Sequence, residues 1–174
     1  MSLLLLPSFA NAATDYAEAG RLIAEGELNK AQAVLARGKS YYSNQKFDEA
    51  VSEFDRYMKH MRPLTTTDTN RAIYIRDLHE ISQICFGIKR YDEVRKVLDE
   101  ILSLSPHDQS AIYNLGIYYY KYEHSRQKAY KSFSKAAEID PSSYTASKAR
   151  YAIEFMRANP DSRIEPDLSF IDKE

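Results

Sequence analysis

The chain has 174 residues, with 24 Lys and Arg against 25 Asp and Glu and a formal net charge of −1. This balance argues against a general binder of nucleic acids or anionic membranes, because such proteins carry an excess of cations. The single cysteine, Cys85, excludes an intrachain disulfide and a cysteine-based zinc site, and the 44% of hydrophobic residues is enough for one folded domain.

The first dozen residues resemble the end of a secretory signal peptide. A short apolar run at Leu3–Leu6 is followed by Ala10-Asn11-Ala12, the small-x-small pattern that signal peptidase accepts. No Lys or Arg precedes the run, so we interpret residues 1–12 as a signal-peptide remnant. We expect a periplasmic or secreted protein whose mature chain begins near Ala13. The alternative is a cytoplasmic protein with an apolar N-terminal helix packed on the domain.

Apolar residues recur at intervals of three and four along most of the chain, which predicts a helical protein without a sheet. Gly26 is predicted to separate the first helix from the second. Pro63 ends the third helix, and Asp68 or Thr69 is predicted to cap the fourth. The eight predicted helices cover about residues 13–25, 28–44, 47–61, 70–87, 91–104, 108–122, 126–139 and 143–158.

Three pairs of these helices share a spaced set of small and large residues. In the third pair, Leu115-Gly116-x-x-Tyr119 precedes Ala129-x-x-x-Phe133 and then Pro141. Small residues let the two helices of a pair approach closely, large residues fill the space between pairs, and proline ends the second helix. The corresponding small residues on the first helices are Gly38, Ser82 and Gly116, and the residues facing them from the second helices are Ala50, Val94 and Ala129.

This pattern resembles the tetratricopeptide repeat (TPR), a helix–turn–helix unit of about 34 residues. It covers about residues 31–141 and departs from the usual repeat at Arg37, where leucine is common, and at Gln45, where glycine is common. The resemblance implies an all-α fold, a right-handed superhelical stack of antiparallel helix pairs with a C-terminal capping helix. The implied helical domain covers 13–158, with repeats at about 31–63, 75–106 and 109–141, the capping helix at 143–158, and an extended tail at 159–174.

In this family the first helices of successive pairs line a concave groove that commonly takes a peptide or helix of a partner. Helical spacing places three residues of each first helix beside its small-residue face, and the last of the three is always aromatic. The alternative is that these rings pack against the neighbouring pair. The candidate groove residues are Leu35, Lys39, Tyr42, His79, Gln83, Phe86, Tyr113, Ile117 and Tyr120.

Some relatives hold a C-terminal carboxylate with Lys, Asn and Arg side chains along the groove. Here Lys39 and Asn114 suit that role, but His79, Gln83 and Phe86 occupy the middle positions. The clamp is therefore incomplete, and we do not expect binding of chaperone tails. In the tail, the apolar residues Leu168, Phe170 and Ile171 are expected to lie on the chain's own surface or on a neighbour.

The sequence contains no convincing catalytic, metal or cofactor pattern. The glycines are scattered, and no two of the four histidines are four residues apart. Cys85 falls at an inner position and is expected to be a buried thiol. The tyrosines at 118, 119, 120 and 122 point in different directions on a helix, so they are not expected to form one stacking platform for nucleic-acid bases.

These observations predict a non-catalytic protein-interaction module, an adaptor or scaffold without a cofactor, a metal or a transmembrane segment. We expect it to bind a protein or peptide and to be exported as part of a bacterial cell-envelope or secreted complex. The alternative is a structural subunit of an oligomer that packs through the edges of the helical stack and the C-terminal tail. Homo-oligomerisation is compatible with both interpretations.

Overall fold

The structure is a computed structural model that describes the backbone of residues 9–159 and the side chains of residue 18 and residues 20–159. Within these residues it contains α-helices, one short 3-10 helix at Arg62–Leu64, and no strand, which confirms the all-α prediction. Residues 1–8 of the predicted signal remnant, and the tail from residue 160, lie outside this range. The seven α-helices are α1 (Phe9–Ser43), α2 (Phe47–Met61), α3 (Asp68–Gly87), α4 (Tyr91–Leu104), α5 (Gln109–Lys121), α6 (Arg126–Ile139) and α7 (Tyr144–Ala158).

Helix α1 is continuous, so the predicted break at Gly26 is wrong. A glycine inside a helix costs only about 1 kcal/mol relative to alanine, and no proline interrupts this stretch. Ion pairs between Arg21 and Glu25 at 2.7 Å and between Lys30 and Glu27 at 2.6 Å support the helix on both sides of the glycine. One glycine is therefore too weak a signal to end a helix.

The start of α3 also differs from the prediction. The helix begins at Asp68, and the hydroxyl group of Thr67 accepts a hydrogen bond from the backbone N–H of Asn70 at 3.2 Å. This contact is the usual bond between a capping side chain and the third helical residue. Thr67 is therefore the capping residue, rather than Asp68 or Thr69.

Contacts within the chain group its residues into two compact units that divide between Tyr74 and Ile75, inside α3. In the first unit, α2 packs on the C-terminal part of α1. Gly38 on α1 lies so close to α2 that an added Cβ atom would be 2.7 Å from Cε1 of Phe54. The rings of Tyr57 and Tyr74, both fully buried, meet edge to face at 5.8 Å.

In the second unit, α5 packs on α4 and α6, and α7 packs on α6. Gly116 on α5 has the same role as Gly38, since an added Cβ atom would lie 2.6 Å from Cε1 of Phe133 on α6. Residues of α7, among them Ala149 and Met156, complete this core. Helix α7 thus covers the last pair, as predicted for a capping helix, and Cys85 is buried as predicted.

The turn inside each helix pair has one residue with a left-handed backbone. The φ angles are 59° at Gln45, 60° at Lys89 and 51° at His124. This conformation favours glycine, and a side chain in it costs about 1–2 kcal/mol. A left-handed residue therefore recurs in the turn of all three pairs, and the first two turns also share the hydrogen bond from the N–H of Lys46 to the carbonyl of Tyr41 and from the N–H of Arg90 to that of Cys85.

Candidate protein-binding site

In the second unit, the C-terminal part of α3 lies alongside α5. At one end, Nε2 of His79 is 3.0 Å from Oδ2 of Asp108, the residue that caps α5. At the other end, the ring of Phe86 is 6.2 Å from that of Tyr122, the residue that follows α5. One contact joins the N-terminal ends of the two segments, and the other joins their C-terminal ends. The two segments therefore run in the same direction, as the first helices of successive repeats do.

Five of the predicted groove residues lie on these two segments and keep some solvent exposure. Gln83 is exposed, and the others are half-buried. Ile117 and Tyr120 also pack against the core that includes α7. We use the name α3–α5 face for these five partly exposed residues of the two helices: His79, Gln83, Phe86, Ile117 and Tyr120.

Two of the nine predicted groove residues are buried inside their own units. Leu35 is 3% exposed in the first unit, and Tyr113 is 4% exposed in the second. The ring of Tyr113 lies 5.5 Å from that of Phe133, the same ring that Gly116 contacts. Both side chains therefore contribute to packing, and we leave them out of the proposed binding surface.

The remaining two predicted groove residues belong to the first unit. Lys39 is half-buried, and Tyr42 is 37% exposed near the end of α1. The ring of Tyr42 lies 6.1 Å from that of Phe47, which begins α2 and is equally exposed. This pair is an exposed aromatic patch on the first unit that the periodicity of α1 alone does not reveal.

The carboxylate of Asp108 lies beside His79, at one end of the α3–α5 face. Burial of Asp108 raises its pKa and is the largest single influence, but the hydrogen bonds from His79 and from the N–H of Ala111 together outweigh it. The pKa of Asp108 is therefore below its usual range, and the group is ionised at neutral pH. Its charge is engaged by His79 and by the first turn of α5, so the face offers mainly apolar contacts.

An aromatic cluster that helical spacing did not predict lies at the ends of α3 and α5. Tyr122 stacks on Tyr91 of α4 with ring centroids 3.3 Å apart, and Tyr118 lies 6.2 Å from Tyr122. The rings of Tyr118 and Tyr119 meet at 67°, so they form no flat platform, as expected, yet the tyrosines do share one cluster. Arg95 of α4 binds the hydroxyl of Tyr119 at 2.6 Å.

The cluster was hard to predict because its tyrosines belong to different repeats. Tyr91 follows the turn of the second pair, whereas Tyr118 and Tyr122 are one helical turn apart at the end of the third pair's first helix. Only the packing of α4 against α5 brings them together. Repeat alignment places Tyr91 and Phe47 at equivalent positions, and this equivalence is a sequence feature that points to an aromatic side chain beside each of the first two turns.

The described residues contain no group of three His, Cys, Asp or Glu side chains that could hold a metal ion. None of the helices in the same range combines the length and apolar character needed to cross a bilayer. On α6, Lys128 pairs with Glu123 at 2.6 Å, and Lys135 is exposed.

Solved structures similar to this chain are TPR domains. The first TPR of Spaghetti (RPAP3), bound to the HSP90 peptide SRMEEVD, is 18% identical with a TM-score of 0.52, and the match covers 75% of this chain and 94% of that one. The C-terminal TPR-containing domain of a Plasmodium falciparum FK506-binding protein is 16% identical with a TM-score of 0.55, covering 78% and 95%. No protein-family model and no curated protein sequence matches the chain. The likeness shows that the chain has the TPR fold that its repeats predict.

Proposed function

We propose that this chain, which has the TPR fold, is a non-catalytic module that binds a polypeptide on the α3–α5 face. The observation that carries the proposal is the parallel placement of the end of α3 and of α5, two helices on which Gln83 is exposed and Phe86 and Tyr120 are half-buried. Aromatic side chains beside polar groups provide large contact areas at low entropic cost, which suits a peptide ligand.

The peptide-bound structural neighbour supports the class of ligand. The Spaghetti TPR holds an HSP90 peptide, so a TPR fold of this size takes a short linear segment. The second unit of this chain offers Gln83 and Phe86 on the middle first helix instead of the basic residues of a carboxylate clamp. We therefore propose an apolar or aromatic segment as the ligand, rather than an acidic C-terminal tail.

Selection of random linear peptides displayed on phage against the full chain tests this function. Enriched peptides should be rich in apolar residues, and Phe86→Ala should raise their Kd about tenfold, as removal of a central aromatic contact does. Tyr151→Ala is the matched control, because Tyr151 is 41% exposed on α7 and lies outside the α3–α5 face. Peptides that bind wild type, Phe86→Ala and Tyr151→Ala equally well would contradict the assignment.

The alternative function, a structural subunit of an oligomer, is favoured by one feature of the first unit. Helix α1 has 35 residues and α2 has 15, lengths of about 52 Å and 22 Å. Leu22 and Ile23 on the longer helix are 55% and 68% exposed. Light scattering should show a concentration-dependent mass that Leu22→Ser with Ile23→Ser lowers; a constant monomer mass would eliminate this alternative.

Export into a bacterial cell envelope or beyond is also part of the proposal, and its support is the sequence Ala10-Asn11-Ala12. In the structure, residues 9–12 belong to α1, which continues through Ala13. Mass spectrometry of the protein produced from its full-length gene should detect a new N-terminus at Ala13. An intact N-terminus would instead support the cytoplasmic alternative.

A further inference from the structure

Helix α7 occupies the place of a first helix in the stack. It contacts both α6 and α5, and it is the last helix that the structure describes. The side chain of Asp108 caps α5 by accepting the N–H of Ala111 at 2.8 Å. The side chain of Ser143, 35 residues later, caps α7 in the same way by accepting the N–H of Ala146 at 3.0 Å. The two caps therefore define which residues of α5 and α7 correspond.

The face of α5 that packs against α6 has an open counterpart on α7. On α5, Gln109 donates to a backbone carbonyl of α6 at 2.7 Å, and the ring of Tyr113 lies 5.5 Å from that of Phe133. On α7, the described residues leave Tyr144 and Tyr151 of the corresponding face 52% and 41% exposed. Counted from the caps, the corresponding residues are Gln109 and Tyr144, Tyr113 and Lys148, and Gly116 and Tyr151.

Tyr151 stands where two of the other pairs have a glycine. At Gly38 and Gly116, an added Cβ atom alone would lie 2.7 Å and 2.6 Å from a phenylalanine ring of the second helix. A tyrosine ring at this position fills the space that Phe133 uses in the preceding pair, so a second helix of that kind cannot pack as closely. The partner that fits this face of α7 therefore differs from the second helix of a repeat.

Tyr151 is also the centre of a stripe along α7. Residues three, four and seven positions away on a helix lie on the same side as the central residue. All members of this stripe are exposed or half-buried, whereas Ala149, Ile153 and Met156 are buried in the core. We call the following residues the α7 stripe: Tyr144, Ser147, Lys148, Tyr151, Glu154, Phe155 and Ala158.

The charges of the α7 stripe are complementary to those of a second, antiparallel α7. When a two-fold axis passes at Tyr151, a residue before the axis faces the residue at the same distance after it in the other copy. Lys148 is three positions before Tyr151 and Glu154 is three positions after it, so each cation faces a carboxylate. Nζ of Lys148 lies 4.3 Å from the ring centroid of Tyr144, which places the cation on the stripe itself.

The sizes of the other side chains match in the same arrangement. Four positions from the axis, the small Ser147 faces Phe155. Seven positions from the axis, Tyr144 faces the small Ala158. Large side chains opposite small ones allow two helix surfaces to interdigitate, and the two Tyr151 rings meet at the axis. Charge and size therefore favour the same register.

We propose that a second copy of this chain covers the α7 stripe, with the two α7 helices antiparallel about a two-fold axis at Tyr151. Because both copies contribute the same residues, each charged pair and each size match occurs twice. This dimer does not depend on the α3–α5 face. It also differs from the oligomer that the exposed part of α1 would support, since Leu22 and Ile23 take no part in it.

Sedimentation equilibrium of the full chain, from micromolar to millimolar concentration, tests the dimer. Lys148→Glu alone and Glu154→Lys alone should each raise the dimer Kd about tenfold, because two opposite-charge pairs become two like-charge pairs. The double variant with both changes should restore the wild-type Kd. An equimolar mixture of the two single variants should also dimerise, since each charge then faces its opposite. Lys131→Glu, a matched charge change at an exposed position of α6, should leave the Kd unchanged.

A second measurement locates the axis. The backbones of two crossing helices come close enough at their crossing point for a disulfide. Tyr151→Cys should therefore form a covalent dimer under mild oxidation by air, whereas Tyr130→Cys, which is 37% exposed on α6 in the wild type, should not. Circular dichroism checks that each variant keeps its helices.

Several results would overturn the proposal. One is a constant monomer mass over the whole concentration range, which would mean that no second copy covers the stripe. Another is a dimer whose Kd is insensitive to the charge of Lys148 and Glu154 but rises in Leu22→Ser with Ile23→Ser, because the contact would then lie on α1. A third is failure of both the double variant and the mixture to restore dimerisation.

Discussion

Gly116 on α5 and Phe133 on α6 are packed so closely that a Cβ atom at position 116 would lie 2.6 Å from Cε1 of the phenylalanine ring. Gly38 and Phe54 repeat this contact at 2.7 Å in the first unit. Backbone and ring are therefore in direct contact in two separate helix pairs. In the middle pair, Ser82 holds the equivalent position and is fully buried.

Substitution of Gly116 by alanine should lower the free energy of unfolding by about 1–3 kcal/mol, because the ring of Phe133 has to move within a packed core. Gly26→Ala is the control, since a Cβ atom there meets nothing within 4 Å. That change should instead stabilise α1 by about 1 kcal/mol. Urea unfolding of both variants measures the two changes in the free energy of unfolding. If both variants were stabilised, or both destabilised, the close contact between Gly116 and Phe133 would not explain the result.

Glycine substitutions in a turn and inside a helix should change the free energy of unfolding in opposite directions. Gln45 has a left-handed backbone, whereas Gln83 is exposed inside α3. Gln45→Gly should raise the free energy of unfolding by about 1 kcal/mol because it removes backbone strain. Gln83→Gly should lower it by about the same amount. Thermal unfolding compares them, and a destabilised Gln45→Gly variant would show that the turn carries no strain.

The buried carboxylate of Glu53 predicts a pH dependence. Glu53 is 8% exposed and binds Arg37 at 2.6 Å and Arg56 at 2.8 Å. The hydrogen bond from Arg37 is the largest cause that holds the pKa of Glu53 below its usual range, and burial opposes it. Because the folded pKa is below the unfolded value of about 4.3, this group stabilises the fold above that pH. Its contribution is lost as the pH falls through the folded pKa.

Glu53→Gln should therefore be less stable than wild type at pH 6, and the difference should shrink as the pH approaches 3. Chemical unfolding at several pH values measures it. Glu49→Gln, one turn earlier and exposed, is the control. A difference between Glu53→Gln and wild type that is constant with pH would mean that ionisation of Glu53 does not stabilise the fold.

The cap of α5 gives a fourth prediction. Asp108 accepts the N–H of Ala111 at 2.8 Å and also contacts His79. Asp108→Ala should lower the free energy of unfolding by at least about 1 kcal/mol, because both contacts disappear. Asp108→Asn retains a capping oxygen and should lose less. Urea unfolding measures both variants. If it gives Asp108→Ala and Asp108→Asn the same free energy of unfolding, the capping hydrogen bond does not contribute measurably to stability.

Most of the helices could be predicted from the sequence because strong local signals mark their ends. The predicted bounds of α2, α4 and α6 agree with the structure, since Pro63, Pro106 and Pro141 follow these helices and turn residues precede them. At Gly26 the signal was a single glycine, which tertiary context and neighbouring ion pairs override. At the start of α3, several adjacent residues could cap, and only the geometry selects Thr67.

The candidate site was harder to predict than the fold. Helical spacing identified the side of each first helix that carries Leu35, Tyr113 and Gln83, but spacing does not say what lies opposite. Leu35 and Tyr113 are covered within their own units, whereas Gln83 is not. Arg37, unusual for this repeat, is explained by its ion pair with Glu53, a residue sixteen positions away.

The central claim is that the α3–α5 face binds a polypeptide segment. Titration of the isotopically labelled full chain with an enriched apolar peptide, followed by NMR, tests it most directly. We expect chemical-shift changes and intermolecular contacts at Gln83, Phe86 and Tyr120. Saturable binding with contacts confined to other surfaces, such as the exposed part of α1 around Ile23, would contradict the account.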